Sequence, residues 1–159
     1  MNSILTDAYP LFELYQALRS QLMDLLTDAD LAFTPGGANP PLGELCREIG
    51  EVQQAYIDSF ASFTQDFAYR TETPGLSGSV AMLRGWYTNL DADLKAVIAG
   101  LSEEDVQTRR IDRGHDFKVP PRMQLEIYKE ALLIFYGKTS VYLKLMGKEL
   151  PPQWQHWIA

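Results

Sequence analysis

Leu11, Tyr15, Leu18, Leu22 and Leu25 return at intervals of three and four residues, the repeat that gathers side chains on one face of an α-helix. They predict a first helix over 10–26, with Asp7 as its N-cap and Pro10 in its first turn. A second stripe of Leu45, Ile49, Val52 and Tyr56 predicts a helix over 41–66. Val80, Leu83, Tyr87, Leu90, Leu94 and Val97 predict a third over 79–99, capped by Ser77 or Ser79 and stopped at Gly100. The fourth covers 121–146 and stops at Gly147, with Pro151 and Pro152 beyond it. TDADLAFTPGGANPP and YRTETPGLSGS break the period with turn residues, and no segment holds the two-residue alternation of a strand.

The connection over 100–120 is long for neighbouring antiparallel helices, and long enough to cross one end or side of a bundle. Within it, Ser102-Glu103-Glu104-Asp105 carries a capping signal and predicts a short helical turn. The expected fold is all-α: one four-helix-bundle domain over 1–159, with a long crossover connection before the fourth helix.

Composition changes this picture little. The chain is 46% hydrophobic and 22% charged, ordinary for a soluble globular protein. Its single cysteine, Cys46, cannot close an internal disulfide. MNSILTDAYP lacks the features of a signal peptide, and no stretch approaches the roughly 18 to 20 apolar residues of a membrane span. A cytoplasmic location is expected. The net charge of −7, with Arg109, Arg110 and Arg113 interrupted by Asp112, disfavours nucleic acid as a partner.

Two stretches carry a family resemblance. FYGKTSVYLKLMGKELP resembles the end of the last helix in DinB-like, or YfiT-like, four-helix bundles, and GELCREIGEVQQAYI resembles their second-helix motif. The resemblance implies a divalent metal held by three histidines, one from the second helix and an i, i+4 pair from the fourth. Such a site suits zinc or nickel and leaves positions open for water or a thiol substrate. Mapped onto this chain, the three positions are Glu48, Ala131 and Phe135. Alanine and phenylalanine cannot ligate a metal, so the expectation is no metal and no cofactor. A homodimer through bundle helices is implied by the same resemblance.

A helical wheel centred on Ala131 places Ile127, Phe135, Tyr142 and Leu145 within about 40°, and Tyr128 and Ile134 within about 60°. Lys138 lies within about 20°, an inward position where a lysine must be paired or must reach water along its stem. Glu48 and Lys138 are therefore candidates to pair across the second and fourth helices, with Tyr128 or Tyr142 completing the hydrogen bonds. The plainer alternative has Lys138 snorkelling to solvent and Glu48 riding the rim. The candidate pocket comprises Glu48, Tyr128, Ala131, Phe135, Lys138 and Tyr142.

Other candidates have plain readings. His115, flanked by Asp112 and Asp116, suits a solvated loop better than acid–base work, and His156 belongs to the tail. Glu126 and Glu130 read as a solvated face, as do Glu44 and Glu51 beside Glu48, because no Glu-x-x-His partner exists. Cys46 lacks an activating neighbour. Trp86, Trp154 and Trp157 are core residues or contributors to an interface. The expected function is a small-molecule-binding or protein-interaction module that has lost its metal. The alternative is a divergent metal-independent or thiol-dependent transferase using Glu48, Lys138 and a tyrosine. A solvent-open pocket between the second and fourth helices favours a ligand; a sealed core favours protein interaction.

Overall fold

The computed structural model describes residues 1–158. Its helices are α1 (Tyr9–Leu25), α2 (Leu42–Ser62), α3 (Val80–Ala99), α4 (Glu103–Thr108), α5 (Pro121–Leu145) and α6 (Pro152–Trp157). A two-residue antiparallel ribbon, β1 (Ile111–Asp112) with β2 (Lys118–Val119), lies between α4 and α5. The four long helices form the expected bundle. α2 packs on α3 and α5, and α1 closes the bundle against the same two.

Helix directions follow from who meets whom. Gly43 of α2 lies against Ser77, Gly50 against Trp86, and Gln53 reaches Asp91, so α2 and α3 run parallel. Gln124 bonds to Ser59 and Tyr128 packs on Tyr56, so α5 runs against α2. Arg84 pairs with Asp24 and Arg19 with Asp91, so α1 runs against α3. The connection over 100–120 accordingly crosses one end of the bundle to reach α5, as its length predicts. A further crossing, over 63–79, follows the length of the bundle because parallel neighbours cannot be joined by a tight turn.

Local chemistry explains the boundaries. The Ser79 hydroxyl accepts from the Met82 amide at the start of α3, and Ser102 and Asp105 form a reciprocal capping box on α4. Asp7 does not cap α1: it sits inside a π-helical turn, Ile4–Ala8, that runs straight into the helix. The anchor of that end is Asn2, whose side-chain amide donates to the Ile98 and Leu101 carbonyls. α2 stops at Ser62 rather than 66, because Phe63 adopts left-handed geometry with φ 59°. The chain then bonds to the ribbon, Asp112 N–H to the Phe63 carbonyl and Gln65 N–H to that of Asp112. Two-residue strands are too short for any alternation to reveal them.

The inward face of α1 is rotated from the expected stripe. Leu11 is 50% exposed, whereas Phe12, Gln16 and Arg19 are buried beside Leu18 and Leu22. α6, read as tail, folds back so that Trp154 is fully buried and donates its indole N–H to the Leu18 carbonyl. No helix among the described residues is long and apolar enough to cross a membrane.

Candidate functional site

α2 and α5 pack antiparallel, and each offers one ridge to a shared cleft. On α2 the spacing of Leu45, Glu48, Ile49 and Val52 puts all four on one side. On α5 the same holds for Ala131, Ile134, Phe135 and Lys138. They enclose a solvent-open cleft of about 170 Å³, apolar on its floor and charged at its rim. The three positions to which the family resemblance maps a metal, Glu48, Ala131 and Phe135, thus meet at one place. One carboxylate, a methyl and a phenyl ring cannot hold a divalent cation. Among the described residues no group of three histidine, cysteine or acidic side chains is arranged to hold one either.

Glu48 and Lys138 are both exposed and form no ion pair with each other or with any other described residue. Each rides the rim. Tyr142 lines an adjoining cleft of about 280 Å³ with Lys138, and its hydroxyl donates to the Pro40 carbonyl at 2.8 Å. Tyr128 is elsewhere. It is fully buried, with its ring 5.4 Å from Phe12 and 4.8 Å from Tyr56, on the side of α5 that faces α1. Its hydroxyl has no hydrogen-bond partner among the described residues, and burial raises its pKa well above the tyrosine range, although Arg19 opposes the shift.

Arg19 is the functional-looking group that periodicity misses. It is 1% exposed at the bundle centre, where it donates to Gln53 Oε1 at 2.6 Å and pairs with Asp91 Oδ1 at 2.5 Å. Its guanidinium stacks on the Tyr87 ring, 3.9 Å from the centroid. Asp91 Oδ1 also accepts from Gln16 and Gln53. Burial works against the Arg19 charge, but Asp91 more than offsets it and the pKa is raised. The group is paired and satisfied, so it serves structure. Its one legible signal was an arginine flanked by apolar positions on an amphipathic helix.

Cys46 is fully buried beside Tyr87, whose hydroxyl donates to the Cys46 carbonyl. Burial pushes the thiol pKa up to about 12, with Tyr87 and Arg19 acting in the opposite direction. Near neutral pH the folded protein is therefore expected not to react with DTNB, and to release one equivalent only when denatured. The sign for stability follows. The folded thiol holds its proton more tightly than an unfolded one, at roughly 8.5. This contribution is complete below the unfolded value and is lost as pH rises towards 12. Rapid labelling of the native protein would show that the thiol is not enclosed.

The remaining candidates disperse. His115 is exposed in the ribbon turn, where Gly114, His115 and Asp116 all have positive φ. His156 is exposed on α6. Glu126 pairs with Lys129, and Glu130 faces solvent. Trp154 is core, Trp86 lies on Gly50, and Trp157 packs on Tyr15 with ring centroids 5.0 Å apart.

The Glu48–Val52 ridge has a second side. There Glu44, Arg47, Glu51, Phe67 and Arg70 join it around a larger cleft of about 480 Å³. Glu51 lies at its base, buried, with an exposed rim of alternating charge around it. Phe67 and Arg70 lie beyond the end of α2 in irregular chain, where helical periodicity places no residue.

No functionally curated protein matches the chain. The crystal structure of a DinB-like protein, YjoA, from Bacillus subtilis superposes with a TM-score of 0.68. The match covers 88% of this chain and 92% of that one, at 21% sequence identity, which is a likeness of fold. The family model described as the DinB superfamily matches residues 11–128, from α1 into the first half of α5. That span takes in the α2 ridge and most of the bundle, and it agrees with the arrangement of helices: this chain belongs to the DinB superfamily.

Proposed function

We propose that this protein has lost the metal site of its superfamily and uses the vacated place as part of a cleft for a small organic ligand. The observation that carries the reading is the meeting of Glu48, Ala131 and Phe135 at one solvent-open cleft with a single ligating side chain among them. An open cleft favours ligand binding over a sealed interaction module. The transferase alternative draws less support. It needs a tyrosine with Glu48 and Lys138, but the Tyr128 hydroxyl lies in the core and that of Tyr142 is engaged by Pro40. A reducing, cytoplasmic setting suits the lone buried thiol.

Two measurements test this. Protein purified without a histidine tag is expected to carry no stoichiometric zinc or nickel, whereas Glu48→His combined with Ala131→His and Phe135→His should gain affinity for both. Tight metal on the natural protein would overturn the reading, and a folded triple variant without new affinity would overturn the mapping. Ala131→Cys is expected to label with DTNB in the folded state, over the silent background of Cys46. A protected thiol at that position would mean the cleft is closed.

A further inference from the structure

The larger cleft beyond the Glu48–Val52 ridge shows which chemistry a ligand would need. The Glu51 side chain is only 6% exposed, yet its carboxylate accepts one hydrogen bond, from the Thr71 amide to Oε1 at 3.1 Å. The Nε atoms of Arg47 and Arg70 each stand 3.9 Å from it, outside hydrogen-bonding range. The free edge of this carboxylate meets the open cleft with no direct hydrogen bond from a side chain. Arg47 Nε is itself buried without a partner. Arg47 also pairs with Glu44 at 2.5 Å, but that pair is more than a third exposed at both ends and exchanges readily. Glu48, on the ridge, has no ion-pair partner among the described residues. Arg70 Nη1 donates to the Phe67 and Tyr69 carbonyls, which leaves its remaining donors, Arg47 Nε, Glu48 and the free edge of Glu51 as the open hydrogen-bonding groups of both signs around this rim. A ligand of one sign would satisfy one set and be repelled by the other, whereas a ligand carrying both satisfies both.

The ridge also connects two unlike surfaces. Glu48 and Val52 border the charged cleft on one side and the apolar cleft against α5 on the other. Resting on the ligand-binding reading above, we propose that the two clefts together bind a small zwitterion of the α-amino acid class with an apolar side chain. Its carboxylate lies on Arg47 and Arg70, and its ammonium lies on Glu48 and the free edge of Glu51. Its side chain crosses the ridge to rest on Ala131 and Phe135. Glu48, the carboxylate left where a metal ligand would stand, becomes the pivot between polar and apolar ends.

The test is calorimetric titration of the full chain with L-phenylalanine, 3-phenylpropionate and 2-phenylethylamine. The amino acid is expected to bind at millimolar concentration or below, about tenfold more tightly than either singly charged analogue. Arg70→Ala, at a side chain 66% exposed, and Glu48→Gln should each weaken it by about tenfold without altering the thermal melt. Ala131→Trp, which fills the apolar cleft, should abolish binding. Equal binding of all three probes, blocked by Ala131→Trp and indifferent to Arg70→Ala, overturns the zwitterion and leaves an apolar ligand site standing. Binding indifferent to Ala131→Trp overturns the joined site. No binding of any probe overturns the proposal, while accessibility of the Ala131→Cys thiol still reports separately on the open cleft.

Discussion

Asp91→Ala is expected to lower the unfolding free energy by about 3 kcal/mol, because it leaves the Arg19 guanidinium buried and unpaired at the centre of the bundle. The figure sits at the low end of the range for breaking a buried pair, since the Asp91 side chain is 33% exposed and water can enter behind it. Gln16 and Gln53 lose their shared acceptor as well, so the loss extends over α1 and α2. Arg19→Met should cost less, because it removes the charge together with its need for a partner and leaves Asp91 able to reach water. Urea unfolding followed by circular dichroism compares the two. A loss below about 1 kcal/mol in Asp91→Ala would mean that Arg19 finds another partner or solvent.

Gly43→Ala is expected to be comparably damaging, at roughly 3 kcal/mol. A methyl group there would stand 1.8 Å from the Ser77 carbonyl oxygen and 3.2 Å from the Leu31 Cβ. The obstruction is backbone, at the point where the lengthwise connection arrives beside the start of α2, so relief requires moving the crossing itself. Gly137 supplies the contrast within α5. A methyl there meets nothing within 4 Å, so Gly137→Ala should stabilise by up to roughly 1 kcal/mol through helix propensity alone. Opposite shifts in melting temperature from the same chemical change would establish that the α2–α3 crossing is tight. Tolerance of alanine at Gly43 would show that it is not.

These sites also mark what could be read from the residues in order. The apolar stripes of α2 and α3 were legible because burial there follows a single period, Leu45–Ile49–Tyr56 and Leu83–Tyr87–Leu90–Leu94. The stripe of α1 was misplaced by a rotation about the helix axis. Apolarity pointed Leu11 inward, but an arginine with a carboxylate, an amide oxygen and an aromatic face waiting for it is stable inside, and only the other helices supply those partners. The end of α2 was similarly invisible. Its residues up to 66 keep helical character, but Phe63 turns left-handed to let the chain bond with a ribbon almost fifty residues downstream.

The candidate site divides the same way. Glu48, Ala131 and Phe135 were placed by the family resemblance, and Lys138 by helical spacing around Ala131, which is enough to select one face of one helix. Whether the selected residues touch depends on helix rotation and depth. Rotation and depth decide between the two readings of Glu48 and Lys138 by holding them apart at the rim, and they place Tyr128 against Phe12 and Tyr56.

Read alone, the chain determined an all-α bundle of four long helices, a cap at Ser102 and one at either Ser77 or Ser79. Each of these follows from interactions within a few residues, where period, propensity and hydrogen-bonding side chains act directly. Tertiary structure alone decided the parallel course of α2 and α3, the burial of Arg19, and the charged cleft that Arg70 and Glu51 share across the Glu48 ridge. Those depend on groups far apart in sequence whose energies exist only once the helices have met: a carboxylate to neutralise a buried cation, a carbonyl that leaves room only for glycine.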